Sequence, residues 1–322
     1  MKIDKTDYKI LYELDIDARQ SYSKLAKKVR LSQESVRYRV NRLVQNGVIH
    51  KFFTVIDGSK LGYAMYKILL KLQNINEAKL QEIINYFIDH PQVVWVATLD
   101  GSYDLGMTIL GEHILKLNKF IEELNQNFSF HINRRFFSVN VLGEFLPRNY
   151  FVHKKRALNH TTSYSIELPR AEVDEVDLQI IRELTDDGRR SAVEIARKVG
   201  VSPDTILQRK KRLETEKIVT KYNILTNPDA LNMIRYKVLI HLNIFSPERV
   251  FKFLDFCRTE NSIVYIIKAL GQWNYELDME VHSIDEHRRI MMQIMNDYSD
   301  IIRDYDTLII RKVYKYNFFP KG

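Results

Sequence analysis

From Ser32 to Leu43 the chain reads SQESVRYRVNRL, and at helical spacing its chemistry falls on one side. Val36, Val40 and Leu43 form an apolar stripe at i, i+4 and i+7. Gln33, Ser35, Arg37, Tyr38, Asn41 and Arg42 then face outward, and side chains of these types read nucleic acid. A guanidinium bridges the edge of guanine or holds a phosphate, and a carboxamide pairs with adenine. Ser32 and Gln33, at the positive end of the helix, offer backbone amides to a phosphate. The plain alternative is a solvated basic face.

The stretch VSPDTILQRKKRL, Val201 to Leu213, writes this helix again, and Ser32 and Ser202 lie 202 − 32 = 170 residues apart. The same offset joins Asp4 to Asp174, Asp7 to Asp177, Arg19 to Arg189, Arg39 to Arg209, Arg42 to Arg212 and Gly101 to Gly271. A register constant over roughly a hundred columns marks a duplicated unit. In copy two, Ser202 caps the helix, and Pro203, Thr205, Gln208, Arg209, Lys211 and Arg212 form the outward set. Lys210 replaces the buried Val40 and Lys217 replaces Gly47. A lysine at a core position must snorkel, so the two copies are expected to read different sequences, the second more weakly.

The elements that position these helices follow from periodicity. Residues 4–47 read as three short helices, burying Ile10, Leu11 and Leu14 on the first and Leu25, Ala26 and Val29 on the second. Helix two, a tight turn and helix three make a helix-turn-helix, whose third helix enters the major groove. Copy two carries Ala196, Gly200 and Ile206 at the packing, turn and locking positions. Copy one holds Arg30 at the turn. From Tyr66 the pattern becomes strand, helix, strand, strand, helix, strand, the order of a ferredoxin-like antiparallel sheet with helices on one face. Residues 232–319 repeat it. The stretch 147–173, with Pro147 and the basic run HKKR, shows weak periodicity and reads as a solvated linker.

Bulk composition agrees. A chain of 322 residues with 45% hydrophobic and 28% charged content holds several globular domains. No apolar run reaches the ~18 residues of a membrane span. The start, MKIDKTDYKI, lacks a signal core, and one cysteine, Cys257, excludes an internal disulfide framework. A cytoplasmic, nucleoid-associated protein is expected. Net charge is +8. Residues 1–61 carry thirteen basic against seven acidic side chains, and residues 171–231 carry eleven against twelve. Copy one is the electrostatic copy.

Taken together, LSQESVRYRVNRL, GVIHKFF, SKLGY and GSYDLGM resemble the Lrp/AsnC family of prokaryotic regulators over nearly the whole chain, twice over. Copy two departs from the pattern with ALNMIRY where copy one has KLGYAMY. The resemblance implies an α+β fold. Two winged or three-helix helix-turn-helix domains, 1–60 and 174–231, alternate with two ferredoxin-like βαββαβ domains of RAM type, 61–147 and 232–320, across a linker at 148–173. It implies a sequence-specific transcriptional regulator that binds double-stranded DNA and assembles as a homo-oligomer through its ferredoxin-like domains. The tandem layout adds the expectation of a pseudo-dimer within one chain.

In that family the loop between the second and third strands binds an amino-acid effector, which points to Gly101, Tyr103 and Asp104. A glycine turn offers amides to a carboxylate, and an aspartate pairs with an ammonium group. An ordinary hairpin explains the same residues. The second loop carries Trp273 and Asn274 instead, so its pocket is expected to be empty or to take another ligand. No cofactor, metal site or catalytic residue is expected. His282 and His287 do not share a helix face, and Met291, Met292 and Met295 read as core. Two other functions fit the layout. Siroheme decarboxylases resemble the same family, but residues 91–112 and 262–281 hold no histidine. A co-regulator that binds only proteins would shift no DNA.

Overall fold

The first helix is set by its own cap. Asp4 accepts the amides of Thr6 and Asp7, and Asp7 accepts the Asp4 amide in return, so α1 (Lys5–Ile16) starts there. Ser21 and Ser32 cap α2 (Tyr22–Val29) and α3 (Gln33–Gln45). Between them Arg30 turns the chain at φ 57°, where Gly200 stands in copy two at φ 81°. The left-handed turn costs a residue with a side chain ~1–2 kcal/mol. This computed structural model describes residues 2–156, 160–165, 170–243 and 246–320.

After β1 (Ile49–Ile56) come β2 (Ala64–Leu72), α4 (Glu77–Asp89), β3 (Val93–Asp100), β4 (Leu105–Gly111), α5 (Ile114–Phe128) and β5 (Ile132–Phe145). A short strand, β6 (Thr162–Ser165), precedes the second copy. That copy runs α6 (Glu175–Asp186), α7 (Ala192–Val199), α8 (Pro203–Thr215), β7 (Val219–Thr226), β8 (Ile234–Leu242), α9 (Pro247–Thr259), β9 (Ile263–Gly271), β10 (Tyr275–Val281), α10 (Ile284–Tyr298) and β11 (Ile302–Tyr316).

The two sheet domains do more than face each other. Among the described residues, eight antiparallel strands close a ring in the order β2-β4-β3-β11-β8-β10-β9-β5, and β5 returns to β2. The long strands make this closure. Residues 132–140 of β5 pair with β2, and 138–145 pair with β9 of the other copy. Likewise β11 passes from β8 to β3. Closure removes exposed strand edges. Alternating side chains then divide in two. Ile68 and Leu70 pack against Phe87 of α4 and Phe120 of α5, with Val238, Ile240, Cys257 and Ile290 as their counterparts in copy two. Leu69, Leu99, Tyr103, Leu239, Trp273 and Leu308 fill the interior. Cys257 is buried on the inner face of α9.

The heads are interlocked as well. β1 and β7 pair antiparallel, with Phe53 opposite Asn223, so the strand that follows each head's third helix is paired with its counterpart in the other copy. Head one packs Ile10, Leu14 and Leu43 with Ile224 and Leu231 of copy two, and head two packs Ile180, Leu184 and Ile206 with Phe53 and Val55. Reciprocal arginines complete the lock. Arg19 donates to the Gly188 and Arg190 carbonyls at 2.8 and 3.0 Å, and Arg189 donates to the Ala18 carbonyl at 3.0 Å.

The joints beneath the heads are chemically unlike. Under head one, half-buried Arg148 bonds Asp15 of α1 and Glu280 of β10, which also accepts from Arg235. The positions 170 residues away from these four are Phe318, Thr185, Leu110 and Met65, and Phe318, Leu110 and Met65 belong to an apolar cluster.

The expected linker is partly built into the sheet, although residues 157–159 and 166–169 lie outside the described residues. β6 pairs with the end of β5. Within HKKR, Arg156 is not solvated. It is buried, and its guanidinium donates to the carbonyls of Pro147, Arg258, Glu260, Asn261 and Ile263 at 2.8–3.0 Å. A cation there satisfies carbonyls at the end of α9.

A polar layer crosses the barrel interior. Burial raises the Glu276 carboxyl, but Lys237 and Lys67 outweigh it and lower it from 4.5 to about 2. A carboxyl depressed on folding stabilises above its unfolded value and loses that contribution as pH falls through its folded value. About 3 kcal/mol of stability is therefore expected to disappear between pH 5 and pH 2. Urea midpoints across this window measure it, and Glu276→Gln should flatten the slope. An unchanged slope in that variant refutes the assignment.

Candidate nucleic-acid interface

α3 is held on its inner side by Val36, Val40 and Leu43, all buried. Its outer side presents Gln33, Arg37, Tyr38 and Asn41, with Tyr38 67% exposed. Arg37 lies with its guanidinium 5.7 Å from the Tyr22 ring centre. Ser32 is committed locally. Its oxygen accepts the Ser35 amide at 3.1 Å, and its hydroxyl donates to the Ser35 oxygen at 2.9 Å. Ser202 and Thr205 repeat this at the start of α8.

The expected arginine set divides. Arg42 is half-buried and donates to Asp7 at 2.7 Å, beside Arg39, which bonds both Asp7 and Asp4 at 2.8 Å. The Asp7 side chain is fully buried. In copy two Arg209 bonds Asp174 and Asp177, and Arg212 bonds Asp177. Arg42, Arg209 and Arg212 therefore clamp the third helix of each head onto the first. The signal was in the sequence, as D-x-x-D at 4 and 174 and R-x-x-R at 39 and 209. Only the fold brings the two motifs together.

Copy two's outward set needs a further correction. Arg209 is the counterpart of the clamp Arg39. Arg37 corresponds instead to Leu207, which is 50% exposed. On α8 the exposed face thus reads Pro203, Leu207, Gln208 and Lys211, with Arg212 at its margin and Thr205 half-buried. Lys210 lies along the helix and reaches Glu214 at 2.8 Å. Leu207 was missed because apolar character at that spacing reads as core. An aliphatic side chain in a major groove meets the thymine methyl.

At the β3–β4 hairpin, the structure commits all three expected effector residues within the chain. Gly101 adopts φ 132°, and a Cβ there would lie 2.9 Å from the Thr307 carbonyl oxygen of the other copy. Tyr103 is buried in the barrel interior, edge-on to Phe136. Asp104 accepts the Leu72 amide and Lys71 Nζ, each at 2.7 Å. Asn274 caps the Leu242 amide in the same way at 2.7 Å. The aspartate's backbone role is thus one an amide fills equally well. In the second hairpin Trp273 is buried, with its indole donating to Glu276 at 3.1 Å. Among the described residues no group of three or more His, Cys, Asp or Glu side chains is placed to hold a metal ion.

Comparison with known proteins agrees with this geometry. The model of the AsnC-type helix-turn-helix domain matches residues 3–44 and again 173–214. A helix-turn-helix-type transcriptional regulator of Pyrococcus horikoshii is 31% identical over 123 residues, covering 38% of this chain and 77% of the relative. The Bacillus subtilis transcriptional regulator AzlB is 34% identical over 127 residues, covering 39% and 81%. Such shares are expected where this chain carries the relatives' unit twice. Over its full length the fold is similar to that of the siroheme decarboxylase NirDL, with a TM-score of 0.62, 13% identity, and 98% and 94% of the two chains covered. That likeness concerns the fold alone. Two matched heads and relatives covered over more than three quarters of their length place this chain in the Lrp/AsnC family of DNA-binding transcriptional regulators, as a tandem, duplicated member.

Proposed function

We propose that this regulator reads an asymmetric DNA site through two unlike helices held at a fixed spacing. One observation carries the reading. α3 and α8 occupy corresponding places on interlocked heads, yet one shows Gln33, Arg37, Tyr38 and Asn41 where the other shows Pro203, Leu207, Gln208 and Lys211. Two such helices entering major grooves on one face of the duplex sit ~34 Å apart. Selecting sites from random DNA with the purified protein should return two different half-sites about one turn apart. A palindromic consensus counts against the reading. Repeating the selection with each common amino acid tests for an effector, which this proposal does not place at Gly101, Tyr103 and Asp104.

Substitution separates reader from clamp. Arg37→Ala should weaken binding by about 1–3 kcal/mol if it reads a base, at unchanged thermal stability. Arg42→Ala should lower the unfolding midpoint first. Fluorescence titration beside thermal melts decides between them, and unchanged affinity in both variants removes α3 as the reader.

Further association of chains through the sheet domains belongs to the same proposal. Light scattering measures it against the single-chain mass of 38.2 kDa. No helix among the described residues is long and apolar enough to cross a membrane.

The full-length likeness to NirDL favours a second reading, an enzyme acting on a tetrapyrrole. Against it, the cavities beside the polar layer measure about 50 and 40 Å³, while small-molecule sites usually offer about 300–1,000 Å³. Visible absorbance in the purified protein would revive that reading.

A further inference from the structure

Four charged side chains, Lys67, Lys237, Glu276 and Asp278, meet at one level of the barrel interior, unequally supplied by the two copies. On β2, Lys67 stands opposite Thr108 and Leu69 opposite Gly106. At the corresponding ladder positions, Lys237 stands opposite Asp278 and Leu239 opposite Glu276. Both lysines and Glu276 are buried, and the Asp278 side chain is 19% exposed. Lys237 reaches Glu276 at 2.9 Å and Asp278 at 2.5 Å, while Lys67 comes across the junction to within 3.6 Å of Glu276. Trp95 lies beneath both ammonium groups, 4.2 Å from Lys67 and 5.6 Å from Lys237. Copy one thus brings a lysine and no carboxylate, copy two a lysine and two carboxylates.

Like halves do not balance. Two copy-one sheet domains closing a barrel would bury two lysines without an acid, and two copy-two domains would bury four carboxylates against two lysines. An uncompensated buried charge costs several kcal/mol, and such repulsion is how an interface rejects a wrong partner. We propose that this polar layer is a pairing code. Each sheet domain accepts the unlike half and refuses its like, whether the like half comes from a second copy of the chain or from another regulator with the same charge set.

Charge exchange across the junction tests the code in the full-length protein. Lys67→Glu leaves Lys237 facing three carboxylates, and Glu276→Lys leaves three lysines facing Asp278. Each should lower the thermal midpoint by about 10 °C. The double variant K67E/E276K is balanced again and should regain at least half of the summed loss. Additive losses overturn the proposal. Selectivity is read on a neutral variant, Lys67→Met with Lys237→Met, Glu276→Gln and Asp278→Thr, which keeps a filled core without the code. Refolded at rising concentration and weighed by native mass spectrometry, the wild type should return to its starting species. The neutral variant should give larger, concentration-dependent species as like halves of different chains pair. A neutral variant that returns to the wild-type species at every concentration sinks the idea.

Discussion

Raising salt from 50 to 200 mM should cost this protein about 10³–10⁵ in DNA affinity if its paired heads neutralise six to ten phosphates. The charge distribution sets this expectation. Copy one carries thirteen basic against seven acidic side chains over residues 1–61. Lys24, Lys27 and Arg30 stand exposed on or beside α2, next to the reading helix. Each phosphate neutralised releases counterions from the duplex, and the entropy of that release falls as bulk salt rises. Gel shifts or anisotropy at four or five salt concentrations give the slope. A flat response would mean that neither head meets the backbone. Head two, with eleven basic against twelve acidic side chains over residues 171–231, should contribute the smaller share. Lys24→Ala and Lys27→Ala should each reduce the slope by about 1 if they meet phosphate, while Lys198→Ala should change it less.

Asp7→Ala should destabilise the protein by about 3–5 kcal/mol, and Asp177→Ala by a similar amount. Each carboxylate is fully buried and receives two arginines together with the first amide of its helix cap. Removing it leaves Arg42 or Arg212 at the α1–α3 or α6–α8 seam without its carboxylate acceptor, leaves Arg39 or Arg209 with Asp4 or Asp174 alone, and opens the cap as well. Arg39 and Arg42 keep 24% and 30% side-chain exposure, and Arg209 and Arg212 keep 29% and 43%, so water recovers part of the loss and the lower end of the range is expected in both copies. Chemical denaturation of each variant measures the cost, and a change below about 1 kcal/mol would show that the clamp is ornamental. The functional consequence follows from the same geometry. A third helix no longer tied to the first loses its angle to the duplex, so Asp7→Ala should weaken DNA binding although Asp7 never faces solvent.

The arginines show where sequence reading stops. Arg37, Arg42, Arg209 and Arg212 are alike in type, and each sits on a helix of the right period. Periodicity put Arg37 on the outer face, where it is exposed, because the choice between stripe and outer face is local. It had no means of knowing that a carboxylate lies more than thirty residues earlier in the chain, waiting for Arg42. For the same reason Arg156 in HKKR read as solvated and is buried, and Asp104, expected to face an effector's ammonium group, accepts the Leu72 amide and Lys71 instead.

What the sequence determined by itself is the unit and its repetition. The capped helices, their core faces, the strand order of the sheet domains and the offset of 170 residues all rest on short-range patterns. Tertiary structure alone decided the closure of two sheets into one barrel, the exchange of β1 and β7 between heads, and which charges meet inside. These are contacts between residues far apart in the chain. The free energy of burying and pairing them depends on what the folded molecule brings opposite, and composition or spacing does not encode that.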